Sequence, residues 1–277
     1  MEFSRKDAAG KPLREGRVSK MPEPRGGPCT AVKRSGRLGL PRPGMVTVWS
    51  MRTDQIGTAD CRRWLAILDL EERERAHRFH FERDRRDFIA AHALLRSMLA
   101  FHLGQPASTW QFATGAFGKP AIAGSFRVPD IDLSLSHTRD LVAAAVASHC
   151  AVGVDVEKID HAKADFNLAP TYFAPAEVEI LRRMPPMEQV VGFFRLWTLR
   201  EAYLKATGAG LGTPLDSFAF TLSSIRMNFA TRFDDGPRHW HFEMLPTTGA
   251  HVLSVAVASR SEHAIRVASR TVATRNL

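Results

Sequence analysis

Apolar residues recur along this chain in two rhythms, and the switch from one to the other marks its elements. Met45-Val46-Thr47-Val48-Trp49 places apolar side chains at every second position, which predicts a strand opening the folded body. From Trp64 the spacing turns helical, with Leu65, Leu68 and Leu70 followed by dense charge as far as Phe79. A clearer helix follows. Phe88, Ala91, Leu95, Met98, Leu99 and Leu103 return at three- and four-residue steps, and Gly104 closes the run. Strands are predicted at 131–136, 141–147 and 152–156, and helices at 175–184 and 188–206, the second bearing Phe193, Leu196, Trp197 and Leu204. Further strands are expected at 218–222, 239–244 and 252–257. No internal sequence repeat is visible. Strands and helices mix without a strict βαβ rhythm, so the class is α+β.

Charge changes the picture at one end. Residues 1–44 carry 11 Lys/Arg against 4 Asp/Glu, whereas 45–277 carry 27 against 25, so most of the net +9 sits in the first segment. That segment is rich in Gly and Pro, has Phe3 as its one aromatic residue, and shows no apolar period. It buries too little to offset ordering entropy, and is expected to be a disordered basic tail. The body is then expected to begin at Met45, which also stands as an alternative start, and a chain beginning there should keep its function. The remainder divides into an N-terminal half, 45–150, and a C-terminal half, 151–277. With 44% hydrophobic and 24% charged residues, the composition excludes wholesale disorder and collagen. No apolar run is long enough to predict a membrane span. Cys29, Cys61 and Cys150 lie far apart, giving neither a zinc framework nor a disulfide scaffold, and they fit a reducing cytoplasm.

Candidate chemistry gathers at a few places. In Val152-Gly153-Val154-Asp155-Val156-Glu157, a strand would project both carboxylates from one face. Like charges so placed repel, and a hard cation such as Mg²⁺ would relieve the conflict; the alternative is a solvated polar face. In Trp197-Thr198-Leu199-Arg200-Glu201-Ala202-Tyr203-Leu204-Lys205, helical spacing aligns Trp197, Glu201 and Lys205. A routine Glu–Lys pair on an amphipathic helix is the plain interpretation. Combined with the first cluster, Glu201 and Lys205 would help hold a metal-bound pyrophosphate. Leu133-Ser134-Leu135-Ser136-His137 reads as a strand ending in an exposed Ser-His, able to grip a phosphate but not, by adjacency alone, a nucleophile and base. Phe117-Gly118-Lys119-Pro120 is a turn presenting Lys119. Arg73, Arg75, Arg78, Arg83, Arg85 and Arg86 could bind phosphates or form a solvated helix face. The glycines at 208, 210 and 212 follow a helix rather than open one, so they read as a stop and not a nucleotide loop. His239 and His241 lack a third ligand for zinc.

In this order the pieces resemble the 4′-phosphopantetheinyl transferases of the surfactin-synthetase type. The family signatures (V/I)-G-(V/I)-D-(V/I)-E and W-x-x-K-E-A-x-x-K stand here at 152–157 and 197–205, and Lys119 and Ser136-His137 lie in matching features. The resemblance implies a pseudo-twofold monomer of two similar α/β halves, with coenzyme A in the active site between them. It implies transfer of phosphopantetheine from coenzyme A to a serine of an apo acyl or peptidyl carrier protein, with release of 3′,5′-ADP. By the same resemblance Asp155, Glu157 and Glu201 are Mg²⁺ ligands, Glu201 activates the serine, and Lys205 contacts the pyrophosphate. Ser136 and His137 hold coenzyme A, while Lys119 and Arg75 contact its phosphates or nucleotide. Carrier docking is expected around 166–177. The sequence departs from the pattern at Arg200, where the signature has lysine, and at Glu72 and Phe88, where a coenzyme A-contacting basic residue and threonine are usual. The rivals are an inactive family member and a nucleic-acid-binding protein using the basic tail, the body's near-neutral charge opposing the latter as its main role.

Overall fold

The computed structural model describes residues 41–277 apart from 116, 125–127, 129, 168, 211–213, 215, 230–238, 248–249 and 261–263. The expected tail therefore lies almost wholly outside the described residues. The elements are β1 (Met45–Arg52), α1 (Thr58–Leu65), α2 (Leu70–His77), α3 (Glu82–Leu103), β2 (Gln111–Thr114), β3 (Pro120–Ala123), β4 (Ile131–Thr138), β5 (Leu141–Ser148), β6 (Cys150–Lys158), α4 (Ala169–Tyr172), α5 (Pro175–Arg183), α6 (Pro186–Thr207), β7 (Phe218–Thr221), β8 (Arg226–Phe229), β9 (His239–Leu245), β10 (His251–Ser259) and β11 (Arg266–Thr271). The class is α+β, as the mixed rhythm implies.

A four-stranded sheet runs β11-β1-β5-β4 and a three-stranded sheet runs β6-β10-β9. The β1–β5, β5–β4, β6–β10 and β10–β9 pairs are antiparallel, and β11 joins β1 in parallel. The element order through β5 is thus largely replayed from β6 through β10. Each run has a strand, shorter helices, a 22-residue helix, a four-residue hairpin and a long antiparallel pair. Both long helices end on a glycine in the left-handed region, Gly104 at φ 69° and Gly208 at φ 67°, which a side chain would disfavour. The strand β11, although last in sequence, lies in the first sheet.

Strands too short or too polar escape a reading by apolar period. The hairpin strands β2, β3 and β8 have four residues each, and β11 is mostly exposed, its place fixed by the ladder to β1. Three clusters of buried side chains hold the body together. One packs α3 onto β1 and β5, one packs α6 onto β10 with β7, and the third joins the sheets through residues such as Val46, Val48, Val152, Val154, Val156 and Val255.

The two sheets are also joined by a polar ladder. The strand β4 presents Asp132, Ser134, Ser136 and Thr138 at alternate positions, and these accept the backbone N–H groups of Val152, Val154, Val156 and Lys158 at 2.7, 2.9, 3.3 and 3.3 Å. Each partner lies 20 residues later, so β4 and β6 run side by side with side chains in place of main-chain carbonyls. On the far side of β6, α6 lies directly against Gly153. A Cβ there would collide with the Ala202 carbonyl and the Ala206 amide nitrogen, so glycine at this point of the signature is a packing requirement.

Candidate active site

Alternation in β6 sends its valines into the apolar core and turns Gly153, Asp155 and Glu157 toward α6, where Glu201 and Lys205 are half-buried. The carboxylate face is therefore packed rather than freely solvated. Asp155 is 4% exposed; its Oδ1 accepts the Lys205 ammonium at 2.7 Å and the Ser136 hydroxyl at 2.8 Å. Its Oδ2 is buried and has no hydrogen-bond partner. Lys205 thus pairs with Asp155 on another element, a contact that one-helix spacing could not reveal. Burial, then the charge of Asp155, pushes the carboxyls of Glu157 and Glu201 up to about 7. As placed, no three His, Cys, Asp or Glu side chains among the described residues form a group able to hold a metal ion. The site instead stores unresolved negative charge around Asp155, relieved on one side by Lys205.

A second feature opens on the other face of β4. A cleft of about 320 Å³ lies among α2, α3, the β2–β3 hairpin and the end of β4. Arg75, Arg78, His92 and His137 line it together with the carboxylates Asp69, Glu71 and Glu72, and Phe88 and Leu135 form part of its apolar wall. The Arg75 guanidinium lies 5.5 Å from the Phe88 ring centre. His137 is held neutral, its pKa lowered to about 4 by burial and then by the positive charges of His92, Lys205 and Arg75. His137 thus lies within electrostatic reach of the cleft's cations and of Lys205.

The structure sorts the residues singled out in the sequence. Asp155, Glu157, Glu201 and Lys205 come together, and Arg75 and His137 line the cleft. Ser136 and His137 do not act as a pair, because adjacent residues of a strand face opposite ways. Ser136 is buried against β6 and its proton goes to Asp155, on the face of β4 away from the cleft. Lys119 is likewise engaged within the fold. Its ammonium donates to Asp132 Oδ2 at 2.5 Å, to the Val152 carbonyl at 3.1 Å and to the Ala206 carbonyl at 3.2 Å, using all three protons to fasten the hairpin to β4, β6 and α6. Of the six arginines, Arg75 and Arg78 line the cleft; Arg73 bonds to the Leu68 and Ala66 carbonyls, and Arg83, Arg85 and Arg86 pair with acids. His92 and Thr138 were missed. His92 lies outside any motif, but Thr138 continues the alternation that begins at Asp132 and was legible there.

Family models of the 4′-phosphopantetheinyl transferases match both runs of elements, the N-terminal model at residues 56–149 and the superfamily model at 151–257. The 4′-phosphopantetheinyl transferase HetI of Nostoc sp. is 35% identical over 226 residues, covering 79% of this chain and 93% of that protein. The chain belongs to the 4′-phosphopantetheinyl transferase superfamily. A phosphopantetheinyl transferase of Thraustochytrium sp. is 32% identical, with 83% of this chain and 86% of that protein covered. The 4′-phosphopantetheinyl transferase Sfp of Bacillus subtilis is 30% identical, with 58% and 69% covered. This superfamily member's departures from the signature have structural explanations. Arg200 is 2% exposed and donates to Glu177 and to the Phe218 carbonyl, so its charge supports the fold rather than facing a ligand. Glu72 is buried, accepting from Arg96 and engaging His92. The expected docking segment is partly interior, since Phe173, Ala174 and Glu177 are buried. Among the described residues no helix is long and apolar enough to cross a membrane.

Proposed function

We propose that this chain transfers the 4′-phosphopantetheine group of coenzyme A to a serine hydroxyl of an apo acyl or peptidyl carrier protein, yielding holo-carrier and 3′,5′-ADP. The observation that carries the reading is the junction at β4. A cleft of mixed charge, whose Arg75 and Arg78 suit a phosphorylated nucleotide and stand beside Asp69, Glu71 and Glu72, lies on one face of β4, and a cluster of carboxylates suited to a hard cation lies against its other face. Arg75, Arg78 and His137 would take the nucleotide's phosphates, with Phe88 and Leu135 as apolar wall. The two runs of elements would be related by a pseudo-twofold axis, with coenzyme A lying across them in a monomer that acts in the cytoplasm.

By its chemistry the donor set suits Mg²⁺, although as placed the three carboxylates do not yet converge on one point. Asp155, Glu157 and Glu201 offer hard oxygen ligands, and the orphaned Oδ2 of Asp155 and the raised pKa values of both glutamates mark negative charge in want of a cation. When bound, the cation would neutralise the pyrophosphate and the charge that develops on it during transfer. Lys205 would hold the transferring phosphate by a preorganised charge. Glu201, titrating near neutrality, would accept the serine proton as the hydroxyl oxygen bonds to the β-phosphorus and the bond to the departing 3′,5′-ADP breaks. His137, held neutral, would donate or accept a hydrogen bond without adding charge. The nucleic-acid reading rests on the basic tail, and none of the similarities supports it.

The test is incubation with coenzyme A, Mg²⁺ and a panel of apo-carrier proteins from fatty-acid, polyketide and nonribosomal-peptide systems, followed by intact mass. Addition of one phosphopantetheine to a carrier serine is expected. Its absence across a panel that another superfamily member modifies fully would overturn the reading.

A further inference from the structure

We propose that the hydroxyls of Ser136 and Thr138 are positioning groups that set, from the neighbouring sheet, the orientation of Asp155 and Glu157, two of the carboxylates that a cation would use. This rests on the cation reading given above. The hydrogen bonding is the same at both positions. Ser136 Oγ accepts the Val156 N–H at 3.3 Å and donates to Asp155 Oδ1 at 2.8 Å. Thr138 Oγ1 accepts the Lys158 N–H at 3.3 Å and donates to Glu157 Oε2 at 3.1 Å. Each hydroxyl therefore takes the amide 20 residues ahead and the carboxylate 19 residues ahead.

The direction of these bonds follows from the inventory of groups. A backbone N–H can only donate and an ionised carboxylate can only accept, so a hydroxyl between them must accept from the first and donate to the second. The amide bond anchors the hydroxyl oxygen, and its single proton then points at one carboxylate oxygen. On Asp155 that oxygen is Oδ1, which Lys205 also holds; the carboxylate plane is fixed from two sides, and Oδ2 is left over. Without such anchors, two repelling carboxylates on one strand face would turn apart. Metal-binding carboxylates generally need this support, and its loss typically weakens a site by about 10–100-fold.

The ladder contains its own control. Ser134 accepts the Val154 N–H at 2.9 Å in the same manner, but the residue in the carboxylate position is Gly153, which has no side chain. Ser134 therefore bears the same load in joining the sheets and has nothing to orient. A purely structural ladder predicts equal consequences at all three hydroxyls. Positioning predicts a split between Ser134 and the other two.

The experiment is Mn²⁺ binding to the full chain with coenzyme A present, followed by electron paramagnetic resonance, alongside Tm and the Mg²⁺ dependence of transfer. Thr138→Val and Ser136→Ala should weaken Mn²⁺ binding about 10–100-fold and raise the Mg²⁺ needed for transfer in parallel. KM for coenzyme A at saturating Mg²⁺ should stay near wild type. Thr138→Ser should restore Mn²⁺ affinity, and Ser134→Ala should lower Tm without changing that affinity. Unchanged Mn²⁺ affinity in Thr138→Val, which keeps the shape of a half-buried strand end should Ser136→Ala fail to fold, would overturn the proposal. Equal weakening in Ser134→Ala would do the same. Wild-type protein that binds no Mn²⁺ would remove the cation reading itself, and this inference with it.

Discussion

The α2–α3 region and the α5–α6 region are built on the same clasp and set in different surroundings. In each, a glutamate at the third position of a short helix accepts the N–H preceding that helix and reaches a buried arginine in the middle of the following 22-residue helix. Glu72 accepts from Asp69 N and from Arg96; Glu177 accepts from Ala174 N and from Arg200. Each arginine also donates to a carbonyl beyond its long helix, at Trp110 and at Phe218, and lies over a ring, Phe112 or Phe218. What surrounds the clasps differs. Burial pushes Glu72 up, but His92 and Arg96 together bring it below the usual carboxylate range, whereas for Glu177 burial outweighs Arg200 and the net shift is upward. The first region thus adds a histidine beside a cleft that Arg75 and Arg78 line. In the second, α6 approaches β6 closely at Gly153 and carries Glu201 and Lys205 to the carboxylates. A shared scaffold fixes two helix pairs, and the side chains around it differ, with arginines and histidines beside one pair and clustered carboxylates beside the other.

The strongest way to break the comparison is to remove one arginine at a time. Arg200→Ala leaves Glu177 buried without its charge partner and should cost about 3–5 kcal/mol, measured by chemical denaturation. Arg96→Ala should fall at the lower end of that range, because His92 still faces Glu72. Arg200→Lys should be milder than Arg200→Ala. Equal losses from both alanine variants would mean that His92 contributes nothing to the first clasp.

A division of labour between the regions is checked by kinetics. Lys205→Ala should lower kcat by about a hundredfold or more, as loss of a preorganised charge at the reacting phosphate does. Arg75→Ala should instead raise KM for coenzyme A by roughly tenfold or more, the worth of a charge-assisted hydrogen bond. If both substitutions change the same parameter, the assignment of binding to one region and chemistry to the other fails. Circular dichroism would establish that each variant is folded.

Gly153→Ala probes the closer helix approach in the second region. The new methyl meets helix backbone rather than a side chain that can swing away, so α6 must move. A cost of about 1–3 kcal/mol is expected, with reduced turnover as Glu201 and Lys205 retreat from Asp155. A variant as stable and active as wild type would show that the helix can shift freely on the strand.

The gentlest probe is pH, to which the regions respond with opposite sign. Folded Glu157 and Glu201 titrate at about 7 against 4.5 in the unfolded chain, so the folded state keeps protons that the unfolded state has lost. Their contribution makes the metal-free protein less stable as pH rises from about 4.5 to 7, by about 1 kcal/mol or more. His137 titrates at about 4 against 6.5, so its contribution falls as pH drops through that window. Tm measured against pH should therefore decline more steeply toward neutrality in His137→Gln, and Mg²⁺ should flatten the decline. A Tm profile unaffected by either change would contradict the charge balance described here.

Much of the chemistry was legible before the fold. Valines alternating with Gly153, Asp155 and Glu157 fixed a strand with a carboxylate face, and the four-residue steps of Trp197, Glu201 and Lys205 fixed one side of a helix, because local periodicity depends on the backbone alone. The same local rules identified Gly104 and Gly208 as helix ends and the class as α+β. Partners across long separations were not legible. Lys205 could be matched with Glu201 by spacing, yet it meets Asp155, 50 residues away, because α6 packs over Gly153. Lys119 and Ser136 had the right chemistry for a phosphate, but packing gave their donors to Asp132, to two carbonyls and to Asp155. The doubled order of elements left no trace of a sequence repeat, since a strand pair or a buried clasp needs only compatible side chains at its contacts. Sequence determined which groups were available and which way each element would turn them; the tertiary structure decided which of those groups would satisfy one another and which, like Asp155 Oδ2, would be left without a hydrogen-bond partner.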